Sequence, residues 1–168
     1  MRLFLFLLFI SVSCKVSGQF SQPDTLSVLQ PPVSYDVLQH QRRAMGVLTG
    51  WSVLSVSTGA VQLLNANPRI SGFGVQNLVW GLIDGAISGY ALYDLKQRSK
   101  KGTIDIQFER EHFRKVLLIN TLLDVLYIGT GAALLYYGNP QWKGHGMGIV
   151  VQGSFLFLFD GINYGLTF

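Results

Sequence analysis

Asp84, Asp124 and Asp160 are each the only charged residue in a long apolar stretch. A carboxyl in such surroundings has a short list of uses. It can carry a proton or a cation, hold a polar ligand, or hydrogen-bond a neighbouring helix as a neutral acid. The residues at helical spacing around each one suit all three uses. Asp84 has Asn77, Trp80, Gly81 and Ser88; Asp124 has Asn120, Thr121, Tyr127 and Gly131; Asp160 has Gly153, Asn163, Tyr164 and Thr167. Gln76 and Gln152 each stand eight residues before an aspartate, which keeps amide and acid near one helical face. No Lys or Arg occurs within these stretches, so amides and hydroxyls are the available partners. The candidate polar cluster is therefore Asp84, Asp124, Asp160, Gln76, Gln152, Asn77, Asn120 and Asn163.

Other chemistry is thinly represented. Glu109 and His112 in "EREH" have the i, i+3 spacing of one half of a di-iron site, but no second Glu-x-x-His supplies the other half. The glycines of "GHGMG" are not followed by Gly-Lys-Ser/Thr, so no phosphate-binding loop is formed. Neither G-x-S-x-G nor H-E-x-x-H is present. The single cysteine, Cys14, leaves no disulfide and no thiolate metal site. No catalytic residue, metal or cofactor is expected, and without a basic stripe interleaved with aromatics no nucleic acid is expected either.

The elements that must hold these acids read as membrane spans. Charged residues make up 13% of the chain and mean hydropathy is +0.34, unusual for a soluble domain. Four segments are long enough to cross about 30 Å of hydrocarbon as helix. They are Ala44–Leu64, Ile70–Tyr93, Val116–Tyr137 and Gly146–Thr167, the first of them uncharged. The links "NANPR" and "GNPQWK" both carry Asn-Pro, a helix stop, whereas the middle link 94–115 is long and charged. An aspartate at mid-bilayer costs roughly 2.5–3.5 kcal/mol, so each should face the bundle interior. At about 1.5 Å per residue, all three fall near mid-membrane or slightly toward the basic side. Gly81, Gly85 and Gly89 in the second span, with Gly46–Gly50 and Ser55–Gly59 in the first, are small residues that let helices approach closely. Tyr90, Tyr93, Tyr136, Tyr137 and Trp142 fall where interfacial aromatic belts belong. The expected fold is an all-α membrane protein, a four-transmembrane-helix bundle over residues 44–168.

The chain also repeats. Residues 42–60 align with 114–132 at an offset of 72, sharing a basic pair and Thr-Gly-Ala. The second span aligns with the fourth at an offset of 76, pairing Gln76 with Gln152, Asp84 with Asp160 and Gly85 with Gly161. Two similar helical hairpins, in parallel rather than inverted arrangement, are expected.

Residues 1–18, with Arg2, the apolar run "LFLFLLFISV" and small residues at Val16 and Gly18, are expected to be a cleaved secretory signal peptide. An uncleaved anchor and a lipoprotein at Cys14 are the alternatives, the second opposed by Ser11 at the position needing an apolar residue. Residues 19–43 then form an extracytoplasmic lead-in. This conflicts with the charge distribution. Nine basic residues (Arg42, Arg43, Lys96, Arg98, Lys100, Lys101, Arg110, Arg114, Lys115) lie on one side, and only Arg69 and Lys143 on the other. The positive-inside rule puts the nine in the cytoplasm; a cleaved signal peptide puts them outside. The alternating "INYGLTF" terminus raises an outer-membrane barrel as a further alternative, opposed by the length and continuity of the apolar stretches.

The segments "LTGW" (48–51), "NLVWGLIDGAISG" (77–89), "LLINTLLDVLYIGTG" (117–131) and "VQGSFLFLFDG" (151–161) resemble a family of small bacterial membrane proteins, mainly from Bacteroidetes, that carries a domain-of-unknown-function label. The resemblance covers about residues 40–168 and implies a four-helix membrane architecture in a bacterial envelope. It brings no activity or catalytic residue. The expectation is a noncatalytic integral membrane protein, inner membrane favoured. Its surroundings would be the lipid bilayer, with another membrane protein or a second copy as partner. The alternative is a small transporter or ion-coupled protein using the aspartates. A membrane enzyme acting on lipid comes third, supported only by intramembrane polar residues.

Overall fold

The computed structural model describes residues 36–100 and 105–168. The expected signal peptide and residues 19–35 of the lead-in lie outside the described residues. The described residues form four helices and no strand: α1 Val37–Leu63, α2 Pro68–Lys100, α3 Ile106–Tyr137 and α4 Pro140–Gly165.

The helices overrun the expected spans for local reasons. Asp36 accepts a hydrogen bond from the Gln39 backbone N–H at 3.0 Å, so α1 starts seven residues before Ala44. Asp105 does the same for Phe108 and starts α3 inside the charged link, which is helical on both sides. Each Asn-Pro is a helix start as well as a stop. Asn139 accepts from Trp142 N–H at 3.0 Å with Pro140 as first helical residue, where its missing N–H costs nothing. Asn67 accepts from Arg69 N–H at 2.9 Å, and Pro68 opens α2.

Close backbone approach zips each hairpin. A Cβ on Gly59 of α1 would stand 2.6 Å from Leu78 N and 2.8 Å from Gly74 O of α2. A Cβ on Gly131 of α3 would stand 2.9 Å from Val150 N and 2.8 Å from Gly146 O of α4. The same correspondence joins Gly74, against Gln62 and Leu63, to Gly146, against Leu134 and Leu135. It also joins Gly81, against Ser55 and Val56, to Gly153, against Tyr127 and Ile128. Every partner in the second hairpin is the first hairpin's partner plus 72, and so are the Asn-Pro starts. The packing register of α2 against α4 is thus 72 and differs from the 76 read by pairing Gln76 with Gln152.

The hairpins meet through α2 and α4, near their N-terminal ends. A Cβ on Gly72 would lie 2.5 Å from Gln141 O, and those on Gly144 and Gly148 would run into Arg69 O and the Gln76 side chain. By contrast α1 and α3 barely touch. Glycines expected to pack do not all do so. Gly85 lies against Ser52 Oγ, but Gly89, Gly46 and Gly50 have nothing within 4 Å of where a Cβ would stand. They sit on outward faces, and Ser88, fully buried, takes the inward position in place of Gly89.

The distribution of polarity is inverted. Among the described residues nine apolar side chains are buried against ten polar ones, including all three aspartates. Val47, Leu54, Leu82, Ile87, Leu122, Leu126, Leu158 and Ile162 face outward. Three helices, α1, α3 and α4, are long and apolar enough to cross a membrane. The second, α2, falls short of that apolarity although it is the longest, so the four expected spans reduce to three by this measure.

Candidate functional site

A polar seam runs down the middle of the bundle, and its upper node is Gln152. The α4 amide is 1% exposed and fully used. Its oxygen accepts from Trp51 Nε1 at 2.7 Å, and its nitrogen donates to Asn77 Oδ1 at 2.9 Å and Ser55 Oγ at 3.1 Å. Asn77 in turn donates to Gln62 Oε1 at 2.9 Å. One side chain thereby ties α1, α2 and α4 together. Its aromatic partner Trp51 stacks on Phe155, with ring centroids 3.9 Å apart.

The aspartates lie below this node, toward the basic end. Asp84 is seven residues beyond Asn77 and Asp160 eight beyond Gln152, each a descent of roughly 10–12 Å. Trp80 and Tyr127 meet edge to face at 5.2 Å, and Asp84 and Asp124 lie one turn below them on α2 and α3. Three carboxyls thus come to one level. All three are at most 5% exposed, and each lies within electrostatic reach of the other two. Among the described residues the Oδ2 atoms of Asp84 and Asp124 are buried without a hydrogen-bond partner. That is costly for groups that normally find one. Among the described residues no group of His, Cys, Asp or Glu is arranged to hold a metal ion.

Around this level the smaller polar groups are paired. Ser52 donates to Gly81 O at 2.7 Å and Thr49 to Ser88 Oγ at 3.0 Å, joining α1 to α2. The remaining cluster members are dispersed. Gln76 lies beside His145 Nδ1 at 3.1 Å on the α2–α4 contact, and Asn163 meets His40 at 2.8 Å near the basic end. Asn120 is half-buried and makes no side-chain hydrogen bond among the described residues. Of the eight candidates, then, Asp84, Asp124, Asp160, Asn77 and Gln152 belong to the central seam. Trp51, Ser52, Ser55 and Gln62 join them unannounced. Their signal was present as polar positions sharing the α1 face of Ser55 and Gly59, in a span that drew no attention because it lacks charge.

The basic end is tied off separately. Arg110 donates to Thr167 O at 2.8 and 2.6 Å, holding the end of α4 against α3. Arg114 lies 4.0 Å over the Phe168 ring. Arg98 bonds Glu109 and, at 2.8 Å, Asp94, bridging α2 and α3 around the charged link. Burial works against the Arg98 guanidinium, but the bond to Glu109 and the two acidic charges outweigh it and raise it above its usual range. Glu109 is therefore an ion-pair partner, and His112 is exposed and stacked on Phe108, so "EREH" holds no metal arrangement.

Comparison with curated proteins and with solved structures finds no match. A family match does exist, over residues 47–161, which takes in the Gln152 node, the three aspartates and most of the glycine zips. The chain therefore belongs to the family of unknown function DUF6992.

Proposed function

We propose that this protein is a small integral membrane protein of the bacterial envelope, in the inner membrane. Its role is noncatalytic, as a structural element or binding partner of another membrane protein. The inverted polarity carries the reading: a half-polar interior inside an apolar exterior is stable only where hydrocarbon replaces water outside. All four helices cross. The low apolarity of α2 comes from inward residues, among them Gly72, Gly74, Asn77, Gly81, Asp84 and Ser88. Its outward face carries Val79, Leu82 and Ile87, ending at exposed Tyr90 and Tyr93 as an interfacial belt. Tyr136, Tyr137 and Trp142 mark the other interface. The two hairpins are repeats of one unit, in the 72-residue register of their packing, and residues 1–18 are the signal that brings the chain to the membrane.

A second reading, an ion-coupled protein, is favoured by one observation: two buried carboxyl oxygens without partners among the described residues, at a level shared by three acids. One experiment separates the two. Wild-type protein and the Asp84→Asn/Asp124→Asn/Asp160→Asn variant are reconstituted in liposomes holding a pH-sensitive dye, with and without a Na⁺ gradient. The noncatalytic reading expects no flux from either protein and equal folding of both. A proton or Na⁺ flux present in wild type and absent in the folded variant establishes the ion-coupled reading instead.

A further inference from the structure

The packing register of the two hairpins sorts the three aspartates into two kinds. Of the eight buried positions of α2, seven have a buried counterpart 72 residues on, in α4 or just beyond its end. The exception is Asp84, whose counterpart is the half-covered Leu156. Asp160 and Asp124 differ from it. Asp160 corresponds to Ser88 of α2 and Asp124 to Ser52 of α1, so each takes the place of a hydroxyl. Those hydroxyls are partnered: Ser52 donates to Gly81 O at 2.7 Å, and Ser88 meets Thr49 at 3.0 Å. The second hairpin carries the matching groups, Gly153 and Thr121. Thr121 bonds Leu117 O at 2.8 Å just as Thr49 bonds Met45 O. Asp124 and Asp160 thus stand where the repeated unit has polar partners built in.

Asp84 stands where the other hairpin is apolar. One more buried polar residue of α2 does so, Asn77, whose counterpart is Ile149, and hydrogen bonds to Gln62 and Gln152 hold it. Asp84 is not so held. It is 2% exposed, and among the described residues its Oδ2 has no partner. An ionisable residue inside a span costs stability, so one that the packing does not call for marks a functional position. The titratable groups around it are few. α3 brings Asp124 and Tyr127, α4 brings Asp160, and α1 brings none beyond Arg43 near its start. Among the described residues no group of His, Cys, Asp or Glu is arranged to hold a metal ion. A proton needs only one oxygen and no cavity, and it is the cation that suits a lone buried carboxyl.

We propose that Asp84 is a proton-binding site, while Asp124 and Asp160 keep their protons as hydrogen-bonding neutral acids of the second hairpin. The Asp84 carboxyl O–H forms on uptake and breaks on release, the proton exchanging with water. A proton on Asp124 makes its Oδ2 a donor, as the Ser52 hydroxyl is, with Gly153 O as the matching acceptor. This rests on the membrane reading above and gives the ion-coupled alternative its residue.

The test is infrared spectroscopy of the full chain in liposomes across a pH series. The band read is the carbonyl stretch of protonated carboxyls, which ionisation abolishes and heavy water displaces. Subtracting each variant from wild type removes the acids common to both. The difference for Asp84→Asn should hold a band at low pH that is lost as pH rises. Asp84→Leu, which installs the residue of the second hairpin, should give the same difference. Asp124→Ser and Asp160→Ser, which install the residue of the first, should each give a band that persists across the series. An Asp84 band that persists or never forms overturns the proposal, and so do Asp124 or Asp160 bands that are lost with it. A titration displaced by Na⁺ at constant ionic strength also overturns it, by assigning the site to a metal cation. The amide band of the same spectra reports folding; a serine variant that fails to fold contradicts the register and overturns the assignment with it. A parallel carbonate wash of membranes keeps the two questions apart: a released chain refutes the membrane reading, whereas a retained chain without the Asp84 band refutes this site alone.

Discussion

Gln152 and Asp84 are both buried polar residues, yet their substitution should have opposite consequences. Removing the Gln152 amide strands Trp51 Nε1, Asn77 Oδ1 and the Ser55 hydroxyl, the last two on buried residues. Unmet groups of this kind cost about 1–3 kcal/mol each, and contacts between membrane helices are worth about 0.6–2. Gln152→Ala should therefore lower the unfolding free energy in detergent by about 3 kcal/mol. Asp84→Asn removes no hydrogen bond from Oδ2, since among the described residues none is made there, and removes an ionisable group beside two others. It should leave stability within about 1 kcal/mol of wild type, as measured by chemical denaturation in the same detergent. A reversed order would mean that Asp84 has a partner which the folded chain alone does not supply. The aspartates were legible in the sequence because a lone acid in an apolar run has a single tolerable direction, inward. Gln152 and Asn77 were legible too, but their partners Trp51, Ser55 and Gln62 were not, because Trp, Ser and Gln in an uncharged span are ordinary residues until a second helix shows which of them converge.

At the scale of elements, the glycine contacts separate close approach from mere smallness. A methyl group on Gly59 would press on the Leu78 backbone nitrogen at 2.6 Å, and backbone cannot step aside. Gly59→Ala and Gly131→Ala, equivalent positions in the two hairpins, should each cost about 1–3 kcal/mol. Gly50→Ala faces open space and should be neutral or stabilising by up to about 1 kcal/mol, through helix propensity alone. Thermal unfolding of the three variants checks this; similar losses at Gly50 and Gly59 would contradict the α1–α2 contact. The hairpins themselves could be read from the Asn-Pro links and the repeated Thr-Gly-Ala. The register between α2 and α4 could not, since matching identical residue types favours Gln76 with Gln152, whereas packing matches Trp80 with Gln152 and Ser88 with Asp160. All four of these last residues are buried. Backbone proximity, and not residue identity, is what the second hairpin preserves.

For the whole molecule the open matter is how many times the chain crosses the bilayer, and α2 decides it. An average over a helix counts inward and outward residues alike, so a helix whose inner face carries Asn77, Asp84 and Ser88 reads as too polar to span even when its outer face is apolar. The inward face is shielded by α1 and α4, and the outward one alone meets lipid. If α2 crosses, its two ends lie on opposite sides of the membrane. The native chain has one cysteine, Cys14, inside the expected signal peptide, so the mature protein offers a silent background for labelling. Single cysteines at Ser99, beyond the last turn facing lipid, and at Ala66, in the link before α2, should react with a membrane-impermeant maleimide from opposite faces of sealed vesicles. Both positions are exposed, so neither should disturb folding. Labelling of the two from one face would mean that α2 does not cross, and the inverted core would then need a protein partner to cover it. The face on which Ser99 reacts also settles the orientation that charge and signal peptide leave in conflict. Among the described residues five exposed cations without ion pairs, Arg42, Arg43, Lys96, Lys100 and Lys115, stand at that end. A cleaved signal peptide puts them on the outer side against the usual charge bias, and reaction of Ser99 from the cytoplasmic face would mean that residues 1–18 stay on the chain as an anchor.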